Sequence, residues 1–347
     1  MVSKRTVLLS VIGLALVTLL VSFGRCQQTH HQGIRLEGMV GTASWHVTLQ
    51  TLPDNITEEA LQVGIEKVIA TANQRIGSWD PNSEISRFNQ SQTTDWFSVS
   101  PELAKLVATT LSLSQQSHGV YDVTIGPLIK LWGFNALSNA QDKVPTQADI
   151  DTARAKVGYQ KLQVRQDPPA LRKTQPDIVV ELASVADGFA VDQAGQYLES
   201  LGIQDYMAEV AGEIRTRGLS LRGDAWRIAI EKPIDLGRAV QQGINLQNAG
   251  LATSGDYRNF FTEKGHRYSH TIDPANGYPV QHNLASVSVL ADNTTLADGY
   301  ATLLMALGET AGRNFADKYG LSAYFIWRTD TGFDTYATEK FKNVLMK

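Results

Sequence analysis

The chain has 347 residues, of which 43% are hydrophobic and 19% charged, the balance of an ordinary globular protein. A formal net charge of −4 with no block of like charges leaves no electrostatic footprint for nucleic acid and excludes acidic or basic tails. At this length, one large domain or two closely packed lobes are expected.

In chain order, the first element is a targeting signal. Lys4 and Arg5 precede an uncharged apolar run over residues 6–23. Such a run reads as an export signal, the positive end staying inside while the apolar stretch enters the membrane. It is also long enough to span a bilayer as an uncleaved anchor. Cys26, the only cysteine, has no partner for an internal disulfide. Residues 27–32 are polar and read as a tether.

Residues 45–49 alternate in the manner of a strand. Leu61, Ile65, Val68, Ala72 and Ile76 fall at helical spacing behind Thr57, a candidate N-cap. Ser100 before Pro101 opens a second helix carrying Leu103, Leu106, Val107 and Leu111. Gly119 stands just past its end, where a left-handed residue is often needed. Residues 135–176 are polar and irregular and read as an excursion from the core. Further strands are predicted over 178–182, 226–230, 285–290 and 323–327, and helices over 189–201, 296–307 and 310–319. Strands and helices mix without strict alternation, which predicts an α+β class rather than a doubly wound sheet.

Four polar, glycine-rich islands interrupt this pattern. The first, residues 119–128, includes Val120, Tyr121 and Asp122 in a tightly turned stretch, suited to a ligand or to a helix stop. In the second, residues 181–192, a strand delivers Glu181 and Ser184 to the mouth of a helix. Helix N-termini favour phosphate, yet carboxylates there repel it unless a cation intervenes. The alternative is that Asp187 simply caps that helix. The third, residues 251–259 and 268–274, brings a histidine, His270, close to Ser269 and Asp273; such a histidine can act as a general base. In the fourth, Asp298 and Thr302 stand four apart on a predicted helix and so share one face. A carboxylate and a hydroxyl so placed suit a hard cation such as Mg²⁺, although Asp298 could equally stabilise a helix end.

The islands occur together and in order, and from about Arg35 onward the chain resembles the ApbE family, the FAD:protein FMN transferases. The segments that carry the resemblance are Met39-Val40-Gly41-Thr42, residues 83–89, 122–134 and 181–192, and Ala211-Gly212-Glu213-Ile214. It continues through residues 252–257, Ser269-His270-Thr271-Ile272-Asp273-Pro274 and Ala297-Asp298-Gly299, ending in Thr302. Cys26 likewise resembles the lipid-modified cysteine of bacterial lipoproteins.

The resemblance implies a T-fold-like, two-lobed α+β catalytic domain over residues 35–347. It would follow a signal or anchor over 1–26 and a tether over 27–34. FAD contacts carry over to Met39, Trp79, Val120, Tyr121, Asp122, Glu181, Asp187 and Ile272. Ligands for Mg²⁺ carry over to Ser184 (through its carbonyl), Asp298 and Thr302, and His270 falls on the histidine thought to assist the chemistry. The family pattern more often has Asp where Glu181 stands, Lys at Asp187, Gly at Ala211 and Tyr at Trp79.

The implied reaction moves FMN from FAD onto a threonine of an acceptor protein and releases AMP. Acceptors by analogy are exported or membrane-bound subunits of sodium-pumping NADH:quinone reductase (Nqr) and Rnf-type complexes. Their threonine lies in a motif resembling Asp-Gly-x-Ser/Thr-Gly/Ala-Thr. Hydrolysis of FAD to FMN and AMP at the same site, and flavin binding or storage without chemistry, are the alternatives. The expected location is the periplasmic face of the bacterial inner membrane, with lipid on Cys26.

Overall fold

The computed structural model describes residues 33–134, 144–234, 236–257, 260–263 and 266–347. The apolar N-terminal run, Cys26 and the stretch 27–32 lie outside the described residues, as do Asn135, Arg258 and Asn259. Among the described residues, no helix is long and apolar enough to cross a membrane.

Strands β1 (Ile34–Val40) and β2 (Ala43–Leu49) form a hairpin in which Trp45, Val47 and Leu49 point inward, as the alternation predicts. Helix α1 (Glu58–Ile76) starts where expected: the Thr57 hydroxyl oxygen accepts from the Ala60 N–H at 3.2 Å. The short helix α2 (Glu84–Gln90) and strand β3 (Phe97–Ser98) lead to α3 (Pro101–Gln116), capped by Ser100. Gly119 (φ 88°) and His118 (φ 54°) turn the chain left-handed beyond it. Helix α4 (Gly126–Leu131) follows.

Two expectations are corrected in the next stretch. Residues 144–176 are no excursion: they contain α5 (Gln147–Arg154) and the hairpin of β4 (Leu162–Gln166) and β5 (Pro169–Lys173), with Leu162 and Leu171 in the core. The predicted strand at 178–182 is buried but joins no ladder. The Asn89 side chain takes the place of a neighbouring strand, donating to the Val180 carbonyl at 2.9 Å and accepting from its N–H at 2.8 Å. Helix α6 (Ala183–Ser200) then begins six residues earlier than its apolar pattern suggests.

The rest is mostly antiparallel: β6 (Tyr206–Val210), β7 (Glu213–Arg217), β8 (Trp226–Glu231), β9 (Val240–Leu246), β10 (Gly250–Gly255), β11 (Phe260–Glu263), β12 (His266–Ser269) and β13 (Leu284–Ala291). Helix α7 (Thr294–Lys318) is interrupted at Gly308 (φ 76°, ψ −178°), which divides it near the two predicted segments. Strands β14 (Ser322–Thr329) and β15 (Gly332–Ala337) and helix α8 (Glu339–Lys342) complete the chain.

Eight strands form one sheet in the order β1-β2-β6-β7-β10-β13-β14-β15. Alternate residues feed two cores: Ala252, Val289 and Phe325 face α1, α3, α6 and α7. Leu251, Tyr324 and Ile326 face the β8–β9 hairpin and α8. The architecture is a mixed helix-and-sheet fold, as predicted. Helices α6 and α7 approach so closely at Gly188 that a Cβ there would lie 2.6 Å from the Thr294 carbonyl oxygen. That contact positions the site.

Candidate functional site

The N-terminal half of α6, α7, the β6–β7 and β8–β9 hairpins and residues 270–274 border one cavity of about 840 Å³. That size is in the upper part of the roughly 300–1,000 Å³ range of small-molecule and cofactor sites. Val120, Tyr121, Asp122, Glu181, Ser184, Asp187, His270, Ile272, Asp298 and Thr302 all line it. The four islands therefore converge. Met39 and Trp79 do not line it and are 59% and 44% exposed. Both stand beside its wall: Met39 is paired across β1–β2 with Ser44, a lining residue, and Trp79 follows Ser78, whose hydroxyl donates to Glu181 at 3.3 Å.

The carboxylates divide by what they touch. Asp122 accepts from the Thr124 N–H (2.8 Å), the Thr124 hydroxyl (2.7 Å) and the Tyr159 N–H (2.9 Å), fastening two loops together. Burial raises its pKa, and these hydrogen bonds pull it down. Glu181 accepts from the Ala183 N–H at 3.0 Å at the opening of α6. The helix-end bond expected of Asp187 thus belongs to Glu181, and Asp187 lies inside the helix. Burial alone raises the Asp187 pKa to about 6.

Asp298 does not stabilise a helix end either. The Asn293 side chain caps α7 by accepting from the Leu296 N–H at 2.9 Å. Asp298 turns instead toward α6 and accepts from the Gly188 N–H at 3.2 Å. Its pKa is raised well above the carboxylate range, first by burial and then by repulsion from Asp187. Glu213 shares this condition, raised by burial and by the charges of Asp298 and Asp187. Its carboxylate accepts one hydrogen bond among the described residues, from the Thr253 N–H at 3.2 Å.

Glu213 has no role in the sequence reading. The signal for it is an acid opening a strand directly after a turn in which Ala211 (φ 54°) and Gly212 (φ 106°) are both left-handed, a two-residue hairpin that aims the next side chain.

Hydroxyl groups line the cavity with Asp298. The Thr302 and Ser254 hydroxyls are 3.4 Å apart, and the Tyr121 hydroxyl is 2.7 Å from the Ser184 hydroxyl. Ser184 lies in the first turn of α6 at the cavity wall, and its carbonyl keeps a second lone pair beyond the one a helical hydrogen bond uses. Among the described residues, no three His, Cys, Asp or Glu side chains come together as a metal-binding group. One carboxylate with hydroxyl and carbonyl oxygens still fits Mg²⁺, which takes few protein ligands and completes its octahedron with water and substrate phosphate. His270 borders the same cavity, its ring edge-on to Phe134 with centroids 6.5 Å apart.

Comparison with known proteins identifies the family. The ApbE family model matches residues 41–325. The chain is 40% identical to the FAD:protein FMN transferase of Haemophilus influenzae over 337 residues, covering 96% of this chain and 97% of the relative. It is 38% identical to that of Vibrio cholerae, covering 96% and 98%. Among solved structures, the flavin transferase ApbE from Vibrio cholerae superposes with a TM-score of 0.83 at 36% identity, covering 90% of this chain and 99% of that one. The apo form of the flavinyl transferase ApbE from Pseudomonas stutzeri gives 0.82 at 33% identity, covering 90% and 96%. The chain belongs to the ApbE family.

Proposed function

We propose that this chain is an FAD:protein FMN transferase that moves FMN from FAD onto a threonine of a partner protein, releases AMP and requires Mg²⁺. The observation that carries the reading is three carboxylates, Asp187, Glu213 and Asp298, bordering one cavity with their charged forms disfavoured by burial and, for Glu213 and Asp298, by repulsion from neighbouring carboxylates. Such a wall takes up charge most readily beside a divalent cation, and a pyrophosphate that arrives with one supplies it.

In this reading Asp298, Thr302 and the Ser184 carbonyl hold Mg²⁺, and the residues carried over from the family resemblance contact FAD. When bound, the metal neutralises and orients the pyrophosphate oxygens. Trp79 offers an exposed aromatic face for stacking beside the cavity. The acceptor threonine oxygen bonds to the FMN-side phosphorus while the bond from phosphorus to the bridging oxygen breaks, its electron pair leaving on AMP. His270 accepts the hydroxyl proton.

The architecture we assign is the T-fold-like, two-lobed domain over 35–347. Residues 1–26 direct export, lipid is attached at Cys26, and residues 27–34 tether the enzyme at the periplasmic face of the inner membrane. Nqr- and Rnf-type redox subunits are the proposed acceptors.

The test incubates the full chain with FAD, Mg²⁺ and an acceptor carrying the threonine motif. Intact-mass spectrometry follows the acceptor, and chromatography follows AMP and free FMN. An acceptor that gains FMN less one water, with matching AMP, is expected. Free FMN and AMP with an unmodified acceptor would mean hydrolysis, and unchanged FAD would mean binding alone. In His270→Ala, flavinylation should fall by about 10²–10⁴-fold with FAD binding retained.

A further inference from the structure

The β8–β9 hairpin stands apart from the main sheet and has two outer edges, which the molecule treats differently. The β9 edge is covered by the chain's own C-terminus. The Asn245 N–H donates to the Val344 carbonyl at 2.8 Å, the Met346 N–H donates to the Gly243 carbonyl at 2.9 Å, and Ile244 bridges Leu345. Residues 243 and 245 therefore turn their main chain toward the tail.

In an antiparallel pair, residues directly opposite one another either exchange both hydrogen bonds or turn both sets of groups away. Arg227 and Ala229, opposite Asn245 and Gly243, consequently point their N–H and C=O groups away from β9. Among the described residues no other main chain pairs with that side of β8.

This open edge faces the site. Ile228, Ala229, Ile230 and Glu231 all border the cavity that holds His270. Successive strand side chains point to opposite faces, so a cavity bordered by four residues in a row runs along the main chain. Ile228 and Ile230 are committed to the core on the inner face. Exposed edges invite pairing, and proteins usually cover or distort them. Here the remote edge is covered, and the edge beside the reacting groups is left open. At position 229 only a methyl group stands beside it.

We propose that the open edge of β8 is the docking strand for the acceptor protein: an extended segment of the acceptor pairs with the main chain at Arg227 and Ala229 and carries its threonine hydroxyl to His270. The proposal rests on the transferase reading above. Main-chain pairing holds the segment largely independently of its side chains, and side chains alternating toward the cavity supply the selection. Beyond the edge, the hairpin tip presents Leu236 (88% exposed) and Val240 (67% exposed), with Arg238 at the cavity border. These give the rest of the acceptor an apolar, cationic rim.

Ala229→Pro in the full chain tests the proposal. It deletes the outward N–H at an edge position, where proline is tolerated. Folding is followed by thermal denaturation, FAD affinity by flavin fluorescence, and transfer by acceptor mass. The expected result is a native-like melting temperature, unchanged FAD affinity and at least a ten-fold fall in kcat/KM for the acceptor. With the wild-type enzyme, peptides bearing the threonine motif and N-methylated at one main-chain nitrogen each should lose transfer at every second position. Wild-type transfer in a folded Ala229→Pro chain, or loss of FAD affinity in step with transfer, overturns the proposal. So does an N-methyl scan without alternation, which also decides the matter if the proline variant fails to fold. A wild-type chain that releases AMP yet modifies no acceptor instead overturns the transferase reading on which the proposal stands.

Discussion

Two sets of acidic side chains meet the start of α7, and they are treated in opposite ways. Asp192, on α6, is almost fully buried, and its oxygens are supplied with donors: the Thr294 and Thr295 N–H groups at 3.0 and 2.8 Å, the Thr295 hydroxyl at 2.6 Å and Arg215 at 2.8 Å. One turn further along α7, Asp298 is also buried but, among the described residues, accepts a single hydrogen bond, from Gly188 at 3.2 Å, with Asp187 and then Asp192 repelling it. The first arrangement fixes a helix. The second leaves a buried carboxylate with its charged form disfavoured, and groups perturbed in this way cluster at functional sites.

The comparison can be broken by substitution. The largest effect is expected for Asp192→Ala, which strands the first N–H groups of α7 and leaves Arg215 with only Glu199 and the Tyr206 hydroxyl. Breaking one partner of a buried pair costs about 3–5 kcal/mol. This is read as a lower denaturant midpoint at constant slope, with the folded fraction retaining most of its activity. Asp298→Asn should do the reverse. Its amide oxygen can still accept from Gly188, so the denaturation midpoint should hold or rise, while transfer falls about 100-fold or more, about 2.7 kcal/mol. Equal losses of stability and activity in both variants would erase the distinction between the two sets.

A smaller, graded effect follows from pH. Asp187 has its folded pKa raised from 3.8 to about 6, so the folded state binds its proton more tightly than the unfolded chain. Between those values the unfolded chain ionises first, and the metal-free protein loses stability as pH rises. Glu213 and Asp298, raised further, extend the loss upward. Denaturant midpoints measured in chelator from pH 4 to 8 should show this decline, and Asp298→Asn should flatten it.

The smallest effect concerns the turn that presents Glu213. Ala211 sits at φ 54°, a conformation that costs a non-glycine residue roughly 1–2 kcal/mol. Glycine's greater freedom when unfolded offsets part of this, so Ala211→Gly should stabilise by about 0.5–1 kcal/mol without changing the response to Mg²⁺.

What was legible in the sequence had local causes. The α1 and α3 starts combine an N-cap with helical periodicity within a few residues, and both Thr57 and Ser100 make the expected bonds. The shared face of Asp298 and Thr302 needs only the helical repeat. What was missed depends on distant partners. Residues 178–182 read as a strand because they are largely apolar, but the Val180 main chain is satisfied by the Asn89 side chain, about ninety positions earlier, and the Glu181 N–H by the Val123 carbonyl. The start of α6 was obscured because Ser184 and Asp187 are polar residues that face a cavity rather than solvent. Asp122 lines the cavity, but the hydrogen bonds that fasten it to Thr124 and Tyr159 could not be read from its spacing. Met39 and Trp79 came from the resemblance alone, since nothing in their spacing points to a site.

The central claim is that Asp298, buried on the wall of a cavity that Asp187 and Glu213 also border, is reserved for a cation. The most direct measurement is thermal denaturation of the protein with FAD, titrated with Mg²⁺ at pH 7.5 and at pH 5. A ligand that binds only the folded state stabilises it by RT ln(1 + [L]/Kd), and protons compete for the same oxygens. The account predicts a melting temperature that climbs with Mg²⁺ at pH 7.5, climbs much less at pH 5, and does not respond in Asp298→Asn. A melting temperature indifferent to Mg²⁺ at both pH values, or an unchanged response in Asp298→Asn, would contradict it.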